Sequence, residues 1–245
     1  NTWSITGANS GAASLSGDAV TFTNFASLTG NANTDVFSFG ASGSLSGTID
    51  GAGNTGDSIN IAAVAGANTV NVTSATTGSS ISGILTNGFS NVELFTGDNT
   101  ADIFVNNSAI NSAFRITGPN DGDVDFGVTV FAAADYTYTD FISLTGGTGV
   151  DSFAMGNTLS GLIDGAGGGT DSASFTAGQT VTLNGINTGI SNIETLNMNG
   201  AGVLVGGTGA NTWLLDTAGT GGQVTNGATV TFTNTPTIQT GIGTD

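Results

Sequence analysis

The sequence predicts an all-β fold from three observations. Short runs such as 19–23, 70–73 and 180–183 alternate apolar with small polar residues, a pattern with a period of two. Clusters of Gly, Asn and Asp separate these runs and are typical of turns. No segment shows a 3.6-residue pattern, and each of the 41 glycines would weaken the interior of a helix.

The composition excludes several classes of function. The 245 residues include 18 acids, one basic residue (Arg115), no His and no Cys, which gives a net charge of −17. His-based acid–base catalysis, thiol nucleophiles and the usual zinc or copper sites are therefore excluded. A single Arg cannot neutralise a phosphate backbone, so we expect no nucleic-acid partner. No apolar run reaches the length of a membrane span, so we expect no membrane insertion.

A long repeat organises the chain. Residues 1–24 (NTWSITGANSGAASLSGDAVTFTN) align without gaps to residues 211–234 (NTWLLDTAGTGGQVTNGATVTFTN), and both tryptophans fall at the same position of the alignment. We therefore divide the chain into one full period, residues 1–210, and the start of the next, residues 211–245. This periodicity predicts that the chain is part of a longer tandem array.

Shorter units, here called A and B, alternate inside the period. The A units begin near residues 22 and 138 with FTNFASLTG and YTDFISLTG, and a further copy opens near residue 232. The B units begin near residues 89 and 190 with FSNVELFTG and ISNIETLNM. The only two glutamates of the chain, Glu93 and Glu194, occupy the same position of the B unit. The spacing between units is irregular, which predicts loops of different length on a common frame.

The spacing of acidic turns favours a β-solenoid (β-helix) with coils of roughly 20 residues. Asp57 follows Asp35 by 22 residues, and Asp171 follows Asp151 by 20, so each pair would stack one above the other. The alternative is a tandem pair of β-sandwich domains of about 105 residues each, which fits the usual domain size. We expect the following side chains to face the core: Phe22, Phe25, Leu28, Phe37, Phe39, Phe141, Leu144 and Phe153.

One motif indicates calcium. Residues 146–153 (GGTGVDSF) match the G-G-x-G-x-D-x-U nonapeptide of calcium-binding β-rolls, and related turns lie at 30–37, 97–104, 206–213 and 240–245. Asp35, Asp102 and Asp151 are the candidate calcium ligands of these turns. The copies are not consecutive, so a second interpretation stays open, in which these are plain Gly-Asp turns before an inward aromatic residue.

A second acidic cluster lies at residues 120–125 (NDGDVD). Asp121, Asp123 and Asp125 alternate along an extended segment, which would place three carboxylates on one side of it. Three nearby carboxylates repel one another unless an ion or full solvation relieves them. Calcium and a solvated acidic turn are both consistent with the pattern. No other cofactor is expected, and because the acids fall on repeated turn positions, we expect no enzymatic activity.

The string F-x-N-F-x-x-L-T-G-x-x-x-x-D-x-F followed by L-S-G-x-I-D-G-A-G covers residues 22–53 and, with Tyr and Asp at its first and third positions, residues 138–167. It resembles the tandem repeats of very large bacterial surface proteins of the filamentous-haemagglutinin and giant-adhesin kind. Residues 146–153 also resemble the calcium repeats of RTX-type β-rolls. The resemblance implies an extracellular, cell-surface segment that forms a fibre, sheath filament or adhesin stalk by self-association.

The resemblance also leaves alternatives. The chain could be an adhesin module that binds a glycan or a host surface through its variable loops. A component of an S-layer or biofilm matrix is intermediate between the fibre and the adhesin module.

Overall fold

The computed structural model of the chain describes residues 1–15, 17–176, 179–183, 189–199, 202–207, 210–215, 221–226, 228–234 and 237–239. Within these ranges every regular element is a β-strand, which confirms the all-β class. The expected turn at 240–245 lies outside the described residues, and so does part of the turn at 206–213.

The strands are short, and most have two to six residues, because turns that contain Gly, Asn or Asp end many of the runs. In chain order they are β1 (Thr2–Gly7), β2 (Ser10–Leu15), β3 (Asp18–Thr23), β4 (Leu28–Thr29), β5 (Val36–Phe39), β6 (Ile49–Asp50), β7 (Ser58–Asn60), β8 (Thr69–Ser74), β9 (Thr77–Ile81), β10 (Phe89–Ser90), β11 (Leu94–Thr96), β12 (Ile103–Asn106), β13 (Ser112–Gly118), β14 (Asp121–Phe126), β15 (Tyr136–Thr139), β16 (Ser143–Thr145), β17 (Asp151–Met155), β18 (Leu162–Asp164), β19 (Ser172–Phe175), β20 (Thr180–Leu183), β21 (Gly189–Ser191), β22 (Thr195–Asn197), β23 (Val203–Val205), β24 (Thr212–Leu215), β25 (Gly222–Asn226), β26 (Ala228–Thr233) and β27 (Thr237–Gln239).

These strands form two large sheets, and the chain passes repeatedly from one to the other. The 15-stranded sheet has the order β24-β25-β26-β22-β19-β17-β13-β14-β15-β11-β7-β5-β1-β2-β3. The 12-stranded sheet has the order β27-β23-β20-β21-β18-β16-β12-β8-β9-β10-β6-β4. Because β4 to β7 and β16 to β19 alternate strictly between the sheets, each passage adds one strand to each of them.

Strands that the chain adds in successive passages pair in parallel. β5 pairs with β1 on one side and β7 on the other, and β17 pairs with β19 in the same way. Among the described strands, antiparallel pairs occur only in the β1–β2–β3, β8–β9–β10, β13–β14–β15 and β24–β25–β26 meanders. Each sheet therefore contains strands from nearly the whole described chain.

Three of the meanders are copies of one another, two of them with the same irregularity. In β1–β2 the register shifts between Ile5 and Gly7, and in β13–β14 it shifts between Ile116 and Gly118. The sequences WSITG (3–7) and FRITG (114–118) underlie this match. A copy of the β1–β3 meander thus begins at Ser112, between the two copies that the sequence comparison identified at residues 1 and 211.

The core lies between the sheets and is dominated by aromatic rings. Phe104 contacts Phe95, Tyr138 and Phe141, with ring centroids 5.5–5.8 Å apart. Seven of the eight residues expected to face the core are buried. Phe25 is the exception, and that expectation was wrong, because its side chain is 58 % exposed. It follows β3, which is the last strand of the 15-stranded sheet among the strands that the structure describes.

Candidate functional site

Two ladders of acidic residues run along the 15-stranded sheet, at the points where successive strands begin. The first ladder consists of Asp35, Asp57 and Glu93, which directly precede β5, β7 and β11. The second ladder consists of Asp151, Asp171 and Glu194, at the starts of β17, β19 and β22. The four aspartates are at most 1 % exposed. Since the strands pair in parallel, the acids of each ladder lie one above another.

Hydrogen bonds from backbone to carboxylate connect the first ladder. Asp57 Oδ1 accepts the backbone N–H of Asp35 at 2.7 Å. Glu93 Oε2 accepts the N–H groups of Gly56 and Asp57 at 2.9 and 3.1 Å. Each carboxylate thus binds the N–H at the start of the neighbouring strand, which fixes the level at which that strand enters the sheet.

The second ladder repeats this arrangement. Asp171 Oδ1 accepts the N–H of Asp151 at 2.7 Å, and Glu194 Oε2 accepts the N–H of Asp171 at 2.7 Å. At its upper end, Asp151 Oδ1 accepts the N–H of Ser112 at 2.8 Å and also the Ser112 hydroxyl. The sequence spacing predicted that these acidic turns would stack, and the structure confirms it for Asp35 with Asp57 and for Asp151 with Asp171.

The second carboxylate oxygen explains the Gly-Asp motif. Oδ2 of Asp151 accepts the N–H of Gly147, four residues earlier, at 2.8 Å, which closes the turn. Asp35 and Asp102 close their turns in the same way. A Cβ atom at Gly146 would lie only 2.5 Å from Asp151 Oδ2, so the turn requires glycine at this position. Glycine therefore serves here to admit the carboxylate.

The middle acids of the ladders, Asp57 and Asp171, lack this second contact. The stretch from Gly51 to Asp57, like that from Gly165 to Asp171, is one residue longer than the turns that close. Oδ2 of each is buried, and neither has a hydrogen-bond partner. A Cβ on Gly165 would collide with both Asp171 Oδ2 and the carbonyl oxygen of Asn192, so these two oxygens lie on the same side of the glycine.

This environment disfavours the ionised form of the middle acids. Burial, followed by the charges of Asp151, Glu194 and Asp164, raises the pKa of Asp171 to about 6. Burial also raises the pKa of Asp57, helped by the charges of Glu93 and Asp35. Each ladder therefore contains a middle carboxyl group that gains a proton more readily than a free aspartate does.

Asp35 behaves in the opposite way. Burial opposes its ionisation, but donors surround the carboxylate: the N–H of Asn31, the Asn1 side chain and Trp3 Nε1 at 3.2 Å. Together these donors hold the pKa of Asp35 below its usual value. The upper end of the first ladder is thus a stable carboxylate whose oxygens are occupied by protein donors.

Asp102 lies apart from both ladders, before β12 of the 12-stranded sheet. Its Oδ1 accepts the backbone N–H and the side-chain Nδ2 of Asn68 at 2.9 and 3.0 Å. The remaining oxygen accepts the N–H of Asp98 at 2.8 Å. Its role is that of a turn-closing acid which also links two adjacent strands.

Asp121 and Asp125 lie on β14, where each binds a different part of the protein. Asp121 Oδ1 accepts the N–H of Asp140 at 3.0 Å. Asp125 Oδ2 accepts the N–H groups of Ala132 and Ala133 at 2.8 and 2.9 Å. The two carboxylates therefore hold separate segments of the chain against the meander.

Asp123, between them, forms an ion pair with the only basic side chain of the protein. Its Oδ2 lies 2.6 Å from Arg115 Nη2, and Oδ1 accepts the Thr137 hydroxyl at 3.2 Å. The guanidinium carbon of Arg115 also lies 4.1 Å from the centre of the Phe131 ring. The Arg115 side chain is about half exposed, so this pair contributes little to stability.

The six candidate calcium ligands are thus distributed over several sites. Asp35 and Asp151 belong to different ladders, Asp102 lies on the other sheet, and the remaining three share β14. Among the described residues, no group of three or more His, Cys, Asp or Glu side chains is arranged to hold a metal ion. Calcium binding stays a prediction.

Sequence reasoning identified Glu93 and Glu194 only as repeat markers, and it named Asp57 and Asp171 only as stacked turns. The signal for their role was present in the chain. Each precedes a strand in which apolar residues alternate with small ones, as in DSINI (57–61) and ETLNM (194–198). In the two ladders, an acid lies directly before such a strand or at its first position.

No protein family, no curated protein and no solved structure matches the chain. The described residues include no helix with the length and hydropathy that crossing a bilayer requires.

The middle acids make stability depend on pH. A group with a raised folded-state pKa stabilises the fold below its unfolded pKa, and this contribution is lost as pH rises through the folded value, here about 6 for Asp171. Asp171→Asn keeps the Oδ1 acceptor and removes the charge that faces Asp151, Glu194 and Asp164. We expect it to raise the unfolding temperature at pH 7.5 by about 2–4 °C, or about 1 kcal/mol, and to change little at pH 4.

Thermal unfolding of the wild type, Asp171→Asn and the control Asp18→Asn across pH 4–8 measures this effect. Asp18 is exposed, so its neutralisation tests for a general reduction of negative charge. Equal stabilisation by both substitutions, or none by Asp171→Asn at pH 7.5, would contradict the assignment.

Thermal unfolding in calcium and in chelator tests the calcium prediction. Calcium that binds the folded chain must raise the unfolding temperature relative to chelator, by an amount that grows with calcium concentration. Asp121→Asn together with Asp125→Asn should abolish the increase if the β14 carboxylates bind the ion. An unfolding temperature that is the same in calcium and in chelator would reject all of the proposed calcium sites.

Proposed function

We propose that this chain is a structural, non-catalytic repeat segment of a long extracellular bacterial fibre, sheath filament or adhesin stalk, built as a β-solenoid. The observation that carries the proposal is that both sheets gain strands as the chain passes back and forth between them. Most neighbouring strands within each sheet pair in parallel. Tandem sandwich domains would instead divide the strands into separate pairs of sheets along the chain.

The chemistry of the acids supports a mechanical role. Most of the acids in the ladders and turns bind backbone N–H groups of neighbouring strands or of their own turns. They are repeated along the sheet, in contrast to the carboxylates of a hydrolytic site, which converge on one cleft. Their position makes them connectors between successive passages of the chain.

The aromatic core supports the same role. Large rings such as Phe37, Phe104 and Phe153 are buried at successive levels between the sheets. Each passage of the chain buries its apolar face against the passages before and after it. A structure of this kind gains stability with each added repeat and extends in one direction, which suits a stiff stalk.

The shape of the molecule tests the proposal. Fifteen strands about 4.8 Å apart correspond to a rod of about 70 Å, which negative-stain electron microscopy and small-angle scattering can measure. We expect unbranched rods of uniform width. Compact particles without a long axis would contradict the solenoid. Discrete monomers that bind specific glycans on an array would favour the adhesin module instead.

A further inference from the structure

A groove opens on the outer face of the 15-stranded sheet, away from the acidic ladders. Side chains of β13, β17, β19 and β22 form its floor, and the loop between β14 and β15 forms one wall. The groove has a volume of about 380 Å³, which lies in the range of small-ligand sites. None of the ladder acids lines it, so this surface has no part in the connections between strands described above.

Alternation along the strands places the floor of the groove on the outer side of the sheet. On β19, Ala173 and Phe175 are buried in the core, whereas Ser172 and Ser174 are half-buried and point the other way. Thr195 on β22 pairs with Ser172 at the same level. Because neighbouring strands lie about 4.8 Å apart, the floor presents small hydroxyl side chains at about this spacing.

The hydroxyl groups of this floor are available to a ligand. In the part of the chain that the structure describes, the hydroxyls of Ser172, Ser174 and Thr195 form no hydrogen bond with another protein group. Each of these hydroxyls can donate one hydrogen bond and accept others. The floor therefore offers three neighbouring donor–acceptor groups that carry no charge.

The wall of the groove is an apolar loop, residues 127–135 (GVTVFAAAD). Nine residues separate β14 from β15 here, whereas in the first meander β3 begins three positions after β2 ends. Val130 and Phe131 line the groove, and Val130 is 77 % exposed. The middle meander therefore adds an exposed apolar wall that the first meander lacks.

Several contacts hold this loop over the sheet. The buried carboxylate of Asp125 accepts two of its N–H groups. The Ser152 hydroxyl, on the outer face of β17, donates to the carbonyl oxygen of Thr129 at 2.9 Å. The guanidinium of Arg115 packs on the Phe131 ring. Because the wall is already in place, a ligand does not have to order it, which favours binding.

The first half of the chain has the same strands with a different outer face. Leu94 is the equivalent of Thr195 in the B unit, and Val36 is the equivalent of Ser152 after the turn aspartate. Larger apolar side chains thus occupy the positions that carry hydroxyls in the second half. The small floor and the long loop occur together in one copy, so two separate sequence changes contribute to the same groove.

We propose that this groove binds a neutral carbohydrate. None of its lining side chains is ionisable, and the nearby Arg115 is already paired with Asp123. A charged ligand would find no counter-charge in the groove, and the net charge of −17 would also repel an anionic one. The charge of the site therefore selects an uncharged ligand.

A neutral sugar matches both surfaces of the groove. The C–H groups of its ring pack against Val130 and Phe131, and its hydroxyls exchange hydrogen bonds with the three hydroxyl side chains of the floor. A purely apolar ligand would instead leave these hydroxyls without partners. The inference goes beyond the proposed fibre function, since it places a ligand site on the outer face of one sheet.

Binding of neutral oligosaccharides to the full chain tests the proposal. An array of glucan, mannan and galactan hexasaccharides identifies the best neutral probe, and a hexamer of galacturonic acid is the charged comparison. Isothermal titration calorimetry with that probe should give a dissociation constant of about 1 mM or below. Backbone NMR shifts should change mainly at Ser172, Ser174, Thr195 and Val130.

Substitutions between the two copies locate the site. Thr195→Leu introduces the residue that the first copy carries, so the strand should accept it, and circular dichroism checks the fold. It removes a hydroxyl and fills the floor, which should weaken binding about tenfold. Thr195→Ser should bind like the wild type, and Val130→Ser should weaken binding about fivefold through lost apolar contact. Leu94→Thr, the reciprocal change, is the matched control and should leave binding unchanged.

Other outcomes would overturn the inference. A wild-type chain that binds no neutral hexasaccharide at about 10 mM, or that binds the galacturonic acid hexamer equally well, would reject the site. Binding that Leu94→Thr weakens as much as Thr195→Leu does would place the ligand elsewhere. Rods that bind no sugar would reject the groove and leave the fibre function intact, whereas sugar-binding particles without a long axis would do the reverse.

Discussion

The hydrogen bond from the backbone N–H of one ladder acid to the carboxylate of the next is the interaction on which the rest of the structure depends. It joins Asp35 to Asp57 and Asp151 to Asp171, each at 2.7 Å. Hydrogen bonds to charged acceptors contribute about 1.5–3 kcal/mol, more than neutral ones. Because the bond fixes where each strand begins, it sets the parallel register and brings the inward aromatic residues to common levels.

Stacking the carboxylates to form these bonds also brings like charges together, which costs electrostatic energy. The environment at the two ends of each ladder reduces this cost. The upper acids are surrounded by donors, including Asn1 and Trp3 around Asp35 and Ser112 next to Asp151. At the lower end the longer Glu side chain reaches the ladder while Glu93 stays half-buried and Glu194 stays exposed. The middle acids have neither advantage, and burial between two like charges raises their pKa.

Much of the fold could be predicted from local sequence patterns. The features that could not be predicted depend on contacts between residues far apart in the chain. Period-two alternation predicted the strands, and the spacing of Asp35 and Asp57 predicted stacked turns. The meander that begins at Ser112 escaped notice because it shares little with residues 1–7 beyond the ITG triplet. The exposure of Phe25 could not be predicted from the repeat, since Phe141 occupies the same position of the A unit and is buried.

In the candidate site, too, the sequence predicted the local pattern and could not predict the contacts between strands. The sequence marked Asp151 and its glycines correctly as a recurring turn, because the Gly-Asp spacing is local. Whether a carboxylate in such a turn binds an ion or an N–H depends on the adjacent strand, which comes 20 to 40 residues away in the sequence. Only the pairing of strands reveals that most of these oxygens are occupied by backbone donors.

Hydrogen exchange at the ladder amides tests the central claim most directly. If carboxylates bind the N–H groups of Asp35 and Asp151, both amides should exchange as slowly as those in the middle of neighbouring strands. Asp57→Ala should then accelerate exchange at Asp35 far more than at Asp151, whose acceptor Asp171 is intact. Rapid exchange at Asp35 in the wild type, or equal acceleration at both amides in the variant, would contradict the account.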